Sequence, residues 1–243
     1  MRKTFTFGNI NSGDYGVYIS GKGTFDSPAR VVEMLDVPAR NGQLTIDGGR
    51  FQNIEVKYPS GIYGATNANF RDKIMAFRNA MGALTGYQRL TDDYNPDEFR
   101  MGIFSAGITS SPMALRLADF DVIFNCKPQR FLVSGETPTT FTSSGTIENP
   151  TLFDAKPMLE ITGTGIVGIG NYSMTIQGQS GQTVYVDCDI MEAWTLNGGQ
   201  KVNANDQVQY AGNKFPSLEA GENGRALGSG ITSVKVTPRW WRL

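Results

Sequence analysis

The chain has 243 residues, 40% of them hydrophobic and 11% aromatic, with 29 glycines; this is one to two domains' worth of material, able to build a core without disulfides or metals. Twenty-two basic against 23 acidic side chains leave a formal net charge of −1, so no global field draws in a polyanion and nucleic acid is not an expected partner. Histidine is absent, which removes Ser-His-Asp and Cys-His nucleophiles, His-assisted zinc hydrolysis and the usual proton shuttle near neutral pH.

The N-terminal stretch MRKTFTFGNINSGDYG is basic at its start but lacks the apolar run of a signal peptide, and no window approaches 18 apolar residues. The expectation is a soluble protein made in the cytosol, with no membrane span. Residues 4–20, TFTFGNINSGDYGVYIS, read as two short strands around an Asn-Ser-Gly-Asp turn. Further on, Leu44 and Ile46, then Ile54 and Val56, alternate with polar neighbours, and Asp47-Gly48-Gly49 predicts a hairpin turn between them.

The period then changes. In NANFRDKIMAFRNAMG, Phe70, Ile74, Phe77 and Met81 recur at helical spacing; Asn67 or Asn69 is the expected cap and Gly82 the expected stop. This is the one substantial helix, with its apolar stripe laid on a sheet. Strands resume with a hairpin over residues 87–102 and an alternating run over 114–127. Within that run Phe120, Val122, Phe124 and Cys126 alternate with Asp121, Ile123 and Asn125, which turns the thiol to the apolar face. Residues 135–146 are polar and turn-forming without a hydrophobic period, which reads as a link between a domain over 1–134 and a second over 147–243. Beyond it, PMLEITG, YSMTIQG, QTVYVDCD, EAWTLNGGQKV and ITSVKVTPRWWRL are short strands at regular spacing, with Asn197-Gly198 marking a hairpin; the cadence is that of a β-sandwich. No internal repeat is visible.

Several strings imitate chemistry and fail on context. Cys126 and Cys188 have no Cys-x-x-Cys spacing and read as two small buried hydrophobes. Only three residues separate Cys126 from Arg130, too few for a phosphate-cradling loop. Asp93, Asn95 and Asp97 resemble the first ligands of a calcium loop, but its sixth position is Glu98 and its twelfth Phe104, so a turn at Asn95-Pro96-Asp97 is expected. GTGIVG, residues 163–168, has dinucleotide-loop glycine spacing but is followed by β-branched and turn residues, where the motif requires a helix. Asp187 and Asp189 flank Cys188 and would suit a glycosidase only with a partner of raised pKa; they read as a solvated strand face. No catalytic residue, metal ligand or cofactor is therefore expected. Asn171-Tyr172-Ser173 matches a glycosylation acceptor without a secretory signal to give it meaning.

The order of elements and several strings together resemble the distal tail protein family of long-tailed phages. These are FGNINSGDYGVYISG, VPARNGQLTIDGGRFQNIEVKYP, the single helix, YQRLTDDYNPDEFRMG and CKPQRFLVSG, then ENPTLFDAKPMLEITGTG, KFPSLEAGEN and the terminal VTPRWWRL. The resemblance implies a mainly β chain: an N-terminal β-sandwich or split-barrel domain with one α-helix and hairpin arms, then a C-terminal galectin-like β-sandwich. It also implies no enzymatic activity and a structural role in the virion tail tip, assembled in the bacterial host cytoplasm. There the chain would form a hexameric ring with itself, joining the tail tube protein to tail-tip, baseplate or receptor-binding proteins. The alternative is a carbohydrate-binding module of a phage tail that recognises host cell-wall polysaccharide. A carboxylate-based hydrolase using Asp187 and Asp189 is the third reading.

A closed ring can pair or pack unfinished strand edges against the next subunit. The candidates for that contact are the hairpins expected over 37–58, with Arg40, Asn41, Gly42 and Asp47, and over 87–102, with Tyr87, Arg89 and Arg100. The alternative for VPARNGQL is an ordinary turn into a strand, stabilised within its own subunit. At the C-terminus, Trp240 and Trp241 must point to opposite faces of a strand, so one packs in the core and the other meets a rim or partner. Trp194, Trp241 and Arg242 are the candidates for ligand or partner contact.

Overall fold

The computed structural model describes residues 2–21, 26–109, 111–114, 116–179 and 181–243. Contacts group the chain into two compact units, Met1–Arg130 with Leu243, and Phe131–Arg242.

The first unit is built on one antiparallel sheet. Its strands follow in the spatial order Ile10–Asn11, Phe5–Phe7, Gln88–Asp92, Glu98–Ile103, Leu117–Cys126, Ile54–Tyr63 and Val17–Ile19. An isolated bridge links Lys3, just before Phe5–Phe7, to Ile19 in the last strand of this path, and the sheet curls into a half-barrel. The alternating run predicted over 114–127 is a strand at Leu117–Cys126 (Leu115 lies outside the described residues), and Phe120, Val122, Phe124 and Cys126 face inward as the pattern requires. Phe5, Phe7, Tyr58, Phe77, Phe120 and Phe124 interlock there with ring centroids 4.9–6.3 Å apart, the separation at which edge and offset ring contacts are favourable.

The helix, Asn67–Ala83, buries Ile74, Phe77 and Met81 against this core. Its cap is Thr66, not an asparagine: Thr66 Oγ1 accepts the Asn69 N–H at 3.1 Å, while Asn69 Oδ1 accepts the Ala65 N–H at 3.3 Å. Thr66 is extended, the conformation from which a hydroxyl reaches the third helical amide. Gly82 does not stop the helix, which ends one residue later where Leu84 turns extended and packs against the core.

The hairpin predicted over 37–58 takes another form. Asp47, Gly48 and Gly49 lie inside the strand Gln43–Phe51, whose partner is Arg30–Asp36; Ile54–Tyr63 joins the half-barrel instead. Two extra residues of the longer strand are absorbed between the pairs Arg30 with Phe51 and Val32 with Asp47, which makes the Asp-Gly-Gly segment a bulge. Gly49 supplies the left-handed φ of 66° that a side-chain-bearing residue would resist. The reversal falls instead at residues 37–42, with Ala39 at φ 61° and Gly42 at φ 79°.

The second unit is a β-sandwich. One sheet runs Thr139–Phe141, Ile231–Thr237, Met158–Gly163, Thr183–Asp187, Glu192–Asn197 and Gln200–Asn203. The other runs Gly145–Asn149, Gly221–Leu227, Gly165–Ile169, Tyr172–Ile176 and Val208–Tyr210. Leu159, Ile161, Val167, Met174, Val186 and Val234 are among the side chains packed between them. Residues 135–146, which read as a link, thus contain a strand and the start of another. Both strands sit at sheet edges, where few side chains need burial, and so their composition is polar.

The GTGIVG glycines have a structural explanation. At residues 163–165 the chain leaves one sheet for the other, and at 228–230 a second crossing runs alongside, tied by Thr164 N–H to Gly230 O (3.0 Å) and Gly228 N–H to Ile166 O (2.8 Å). Gly163 has φ 112°, and a methyl group there would overlap the Gly230 carbonyl oxygen. At the Asn197-Gly198 marker the turn itself is Gly198 and Gly199, at φ 56° and 83°, with Asn197 paired to Gln200.

Candidate assembly surface

The ribbon formed by Arg30–Asp36 and Gln43–Phe51 stands on its own as a two-stranded sheet. Directly opposed residues share a face. One face carries Val32, Met34, Asp36, Gln43, Thr45 and Asp47, and its polar groups are engaged locally. Gln43 Nε2 donates to Asp36 Oδ1 at 3.0 Å and Thr45 Oγ1 meets the Met34 sulfur at 3.4 Å. Arg30 binds Asp47 at 2.5–2.7 Å. The Arg30 hydrogen bond, then the Gly49 N–H, hold the Asp47 carboxyl below its ordinary pKa.

The other face carries Glu33, Leu35, Leu44 and Ile46, with Leu35 opposite Leu44 and Glu33 opposite Ile46. Leu35, Leu44 and Ile46 are 39–46% exposed. Both faces expose apolar side chains, Val32 and Met34 among polar groups on the first, but only the second carries a continuous aliphatic ladder, and it is uncovered. Its root is fixed: Gln52 N–H donates to Ala29 O at 2.9 Å, and Asn53 Nδ2 donates to Tyr87 Oη (2.7 Å) and Asn125 Oδ1 (2.6 Å).

The predicted contact residues fall into two groups. Arg40, Asn41 and Gly42 are exposed in the ribbon's terminal loop, and Asp47 is on the ribbon but spends its carboxylate on Arg30. Tyr87, Arg89 and Arg100 belong to the half-barrel. Tyr87 is exposed, with the Lys127 ammonium 5.3 Å from its ring centroid, and the Arg89 guanidinium lies 3.7 Å over Phe99. Arg100 is 8% exposed and lines a small pocket with Tyr58, Asp92 and Glu98, where Tyr58 donates to Asp92 at 2.7 Å. Burial, and then neighbouring Arg130, pull Arg100 below the ordinary guanidinium pKa. It is an internal residue rather than a surface donor. The Leu35, Leu44 and Ile46 ladder was missed, although the alternation on both sides of VPARNG carried the signal.

In the second unit, Trp194 lies in a row across the outer face of one sheet, Lys235, Glu160, Tyr185, Trp194 and Asn203 being successive neighbours. Its ring stacks on Tyr185 at 5.8 Å and 5°, with the Lys201 ammonium 4.0 Å from its centroid. Trp240 is buried, whereas Trp241 is half-buried, stacked on Phe153 at 4.5 Å with its indole N–H donated to Asp154 O at 2.9 Å. Arg242 is exposed beside it.

Asp187 is not on a solvated face. It is 8% exposed and accepts both Arg239 nitrogens, at 2.6 and 2.8 Å. Burial alone would raise its pKa, but the Arg239 hydrogen bonds and charge outweigh burial and hold it below the ordinary value. That is the wrong direction for a general acid. Asp189 is exposed, with Lys156 at 3.7 Å. Both cysteines are buried and unbridged, their thiols pushed up to about 12 by burial. They match the buried-hydrophobe reading and lack the lowered pKa that a reactive thiol needs.

No protein-family model and no curated protein matches the sequence. Solved structures do. The SPP1 Dit protein, described as a paradigm of the hub adsorption apparatus in phages infecting Gram-positive bacteria, matches over 100% of both chains with a TM-score of 0.79 at 12% identity. The chain has the Dit fold. Chains of the phage P2 baseplate in its activated conformation, one with Ca and one with Sr, match with TM-scores of 0.52 and 0.51 at 8% identity. They cover 97% and 96% of this chain and 98% and 97% of their own. At such identities the likeness to Dit lies in the path of the backbone, so no side-chain role transfers with it.

Proposed function

We propose that this protein is a structural component of a phage tail tip, a hub in which copies of the chain close into a ring, expected to be hexameric. The ring joins the end of the tail tube to the baseplate and host-adsorption proteins. The observation that carries this reading is the Dit fold along the full length of both chains. The ribbon adds physical support: a hairpin hydrogen-bonded at its root, with an uncovered aliphatic ladder on one face, is the kind of unfinished surface that a neighbouring subunit covers. The groups that could have done chemistry are otherwise engaged, Asp187 by Arg239 and both thiols by burial. Negative-stain imaging and light scattering of the purified chain test the proposal. Closed rings at micromolar concentration are expected, and a monomer persisting to millimolar concentration overturns it.

A second reading, host-wall polysaccharide bound on the second unit, is favoured by one feature: the stacked Tyr185 and Trp194 in a half-exposed row with Glu160 and Asn203. Titration with wall polysaccharide should then quench Trp194 emission in wild type and leave Trp194→Phe silent. Unchanged fluorescence together with no retention on the polysaccharide removes this reading.

A further inference from the structure

The ribbon is one of two unfinished surfaces on the first unit. The second is a flank of the helix Asn67–Ala83. Arg71, Met75, Arg78 and Gly82 recur at i, i+4, i+7 and i+11 and form one exposed stripe beside the buried Ile74, Phe77 and Met81. Met75 is 59% exposed, and nothing lies within 4 Å of where a Gly82 side chain would begin. Arg71 and Arg78 make no ion pair among the described residues.

The stripe and the ribbon's open face are complementary in kind. The ribbon offers aliphatic side chains around Glu33, which also has no ion-pair partner among the described residues; the helix offers a flexible thioether between two guanidinium groups, beside a glycine that allows close approach. A two-stranded ribbon is marginal by itself in water, and here the local polar contacts all lie on the face opposite the aliphatic ladder. We infer that the Glu33, Leu35, Leu44 and Ile46 face of each ribbon seats on the Arg71, Met75 and Arg78 flank of the helix in the next copy of the chain, with Glu33 paired to those arginines. This rests on the ring reading above and gives it a contact: two unlike patches on one body make a head-to-tail interface, the type that closes into a ring when its rotation permits. Both patches belong to the first unit.

Cysteine cross-linking of the full chain tests this. The native cysteines are buried, so Leu35→Cys with Met75→Cys reports on the introduced pair. Oxidation should give a covalent ladder up to the ring in the double variant and no cross-linked dimer in either single variant. In parallel, Glu33→Arg alone and Arg71→Glu with Arg78→Glu should each raise the concentration for half-assembly at least tenfold, and all three changes together should recover most of that loss. The melting temperature of the isolated subunit reports that each variant folds. Rings that form without the double-variant ladder, a disulfide-linked dimer from Leu35→Cys alone (arm against arm), or no recovery by the combined charge exchange overturn this contact and leave the ring standing. A wild-type chain that never assembles overturns the ring and this contact together.

Discussion

Replacing Asp187 with asparagine tests the reasoning about the second unit most sharply. The carboxylate accepts two hydrogen bonds from Arg239 at 2.6 and 2.8 Å, and further ones from the backbone N–H groups of Asp189 (3.0 Å) and Ile190 (3.4 Å). Its side chain is 11% exposed and that of Arg239 is 31% exposed. A hydrogen bond to a charged group contributes about 1.5–3 kcal/mol, and breaking a fully buried ion pair costs about 3–5 kcal/mol. Arg239 keeps some water, and asparagine retains one acceptor, so the expected loss is about 2–3 kcal/mol. For a unit of roughly a hundred residues this lowers the melting temperature by roughly 8–15 °C, at about 4–5 °C per kcal/mol. The pH dependence has a definite sign. The folded-state pKa of Asp187 lies below its unfolded value of about 3.9, so the stabilisation is complete above that value and is lost as pH falls through the folded pKa. The gap in melting temperature between wild type and Asp187→Asn should be level from about pH 5 to 8 and close below about pH 4. Scanning calorimetry across that range is the assay. A gap under about 2 °C at pH 7, or one that is undiminished in acid, refutes the argument.

Changing Leu35, Leu44 and Ile46 together to serine should leave the subunit's own melting temperature nearly unchanged while weakening each ring contact by about 3 kcal/mol, or roughly 150-fold, since about half of each side chain's burial remains to be gained; a thermal melt of the dilute subunit reads the first effect and sedimentation across a dilution series the second, each against wild type. Gly163→Ala, at φ 112° and against the Gly230 carbonyl, should cost at least about 2 kcal/mol in denaturant melts, against about 1 kcal/mol for Gly198→Ala, where only the positive φ is at stake. Cys126, with its thiol near 12, is a thiolate in roughly one molecule in 10⁵ at pH 7; a thiol reagent should label it only after denaturant is added, and rapid native labelling would contradict its burial. Asn53→Ala removes two bonds at the ribbon's root without touching its apolar face; imaging should find particles of mixed subunit number, and uniform closed rings would show that the root does not set the angle.

Much of the fold was legible because its signals are local. Phe70, Ile74, Phe77 and Met81 fix a helix whatever surrounds them, and the alternation ending at Cys126 fixes a strand buried on one side. The errors arose where a local motif has two global outcomes. Asp47-Gly48-Gly49 does form a local bond of the kind found in turns, Asp47 Oδ1 accepting the Gly49 N–H at 2.9 Å. Whether that bond reverses the chain or merely bulges it is decided by the partner strand, and the partner is Arg30–Asp36 rather than Ile54–Tyr63. Asp187 looked solvated because Arg239, which neutralises it, is 52 positions away. Residues 135–146 looked like a link because edge strands share the polar composition of linkers. At the candidate site the charged residues around VPARNG drew notice, while the aliphatic ladder beside them is the part left without a local partner.

That contrast bears on how a ring with a fixed number of subunits is specified. Subunit number depends on the angle between the two patches each copy presents, so both must be held on a body that does not flex. The helix flank meets this condition through the interlocked aromatic core beneath Ile74, Phe77 and Met81. The ribbon cannot meet it by its own packing, since a lone hairpin twists freely. Its direction has to come from the root, where Gln52 closes the two strands and Asn53 joins the half-barrel at Tyr87 and Asn125. On this reading the Tyr87 hydroxyl, expected at an intersubunit contact, acts from within its own subunit: it accepts from Asn53 and so helps aim the ribbon whose apolar face makes the contact. Affinity and angle are then set by separate residues, the aliphatic ladder for one and the amide and hydroxyl groups at the root for the other.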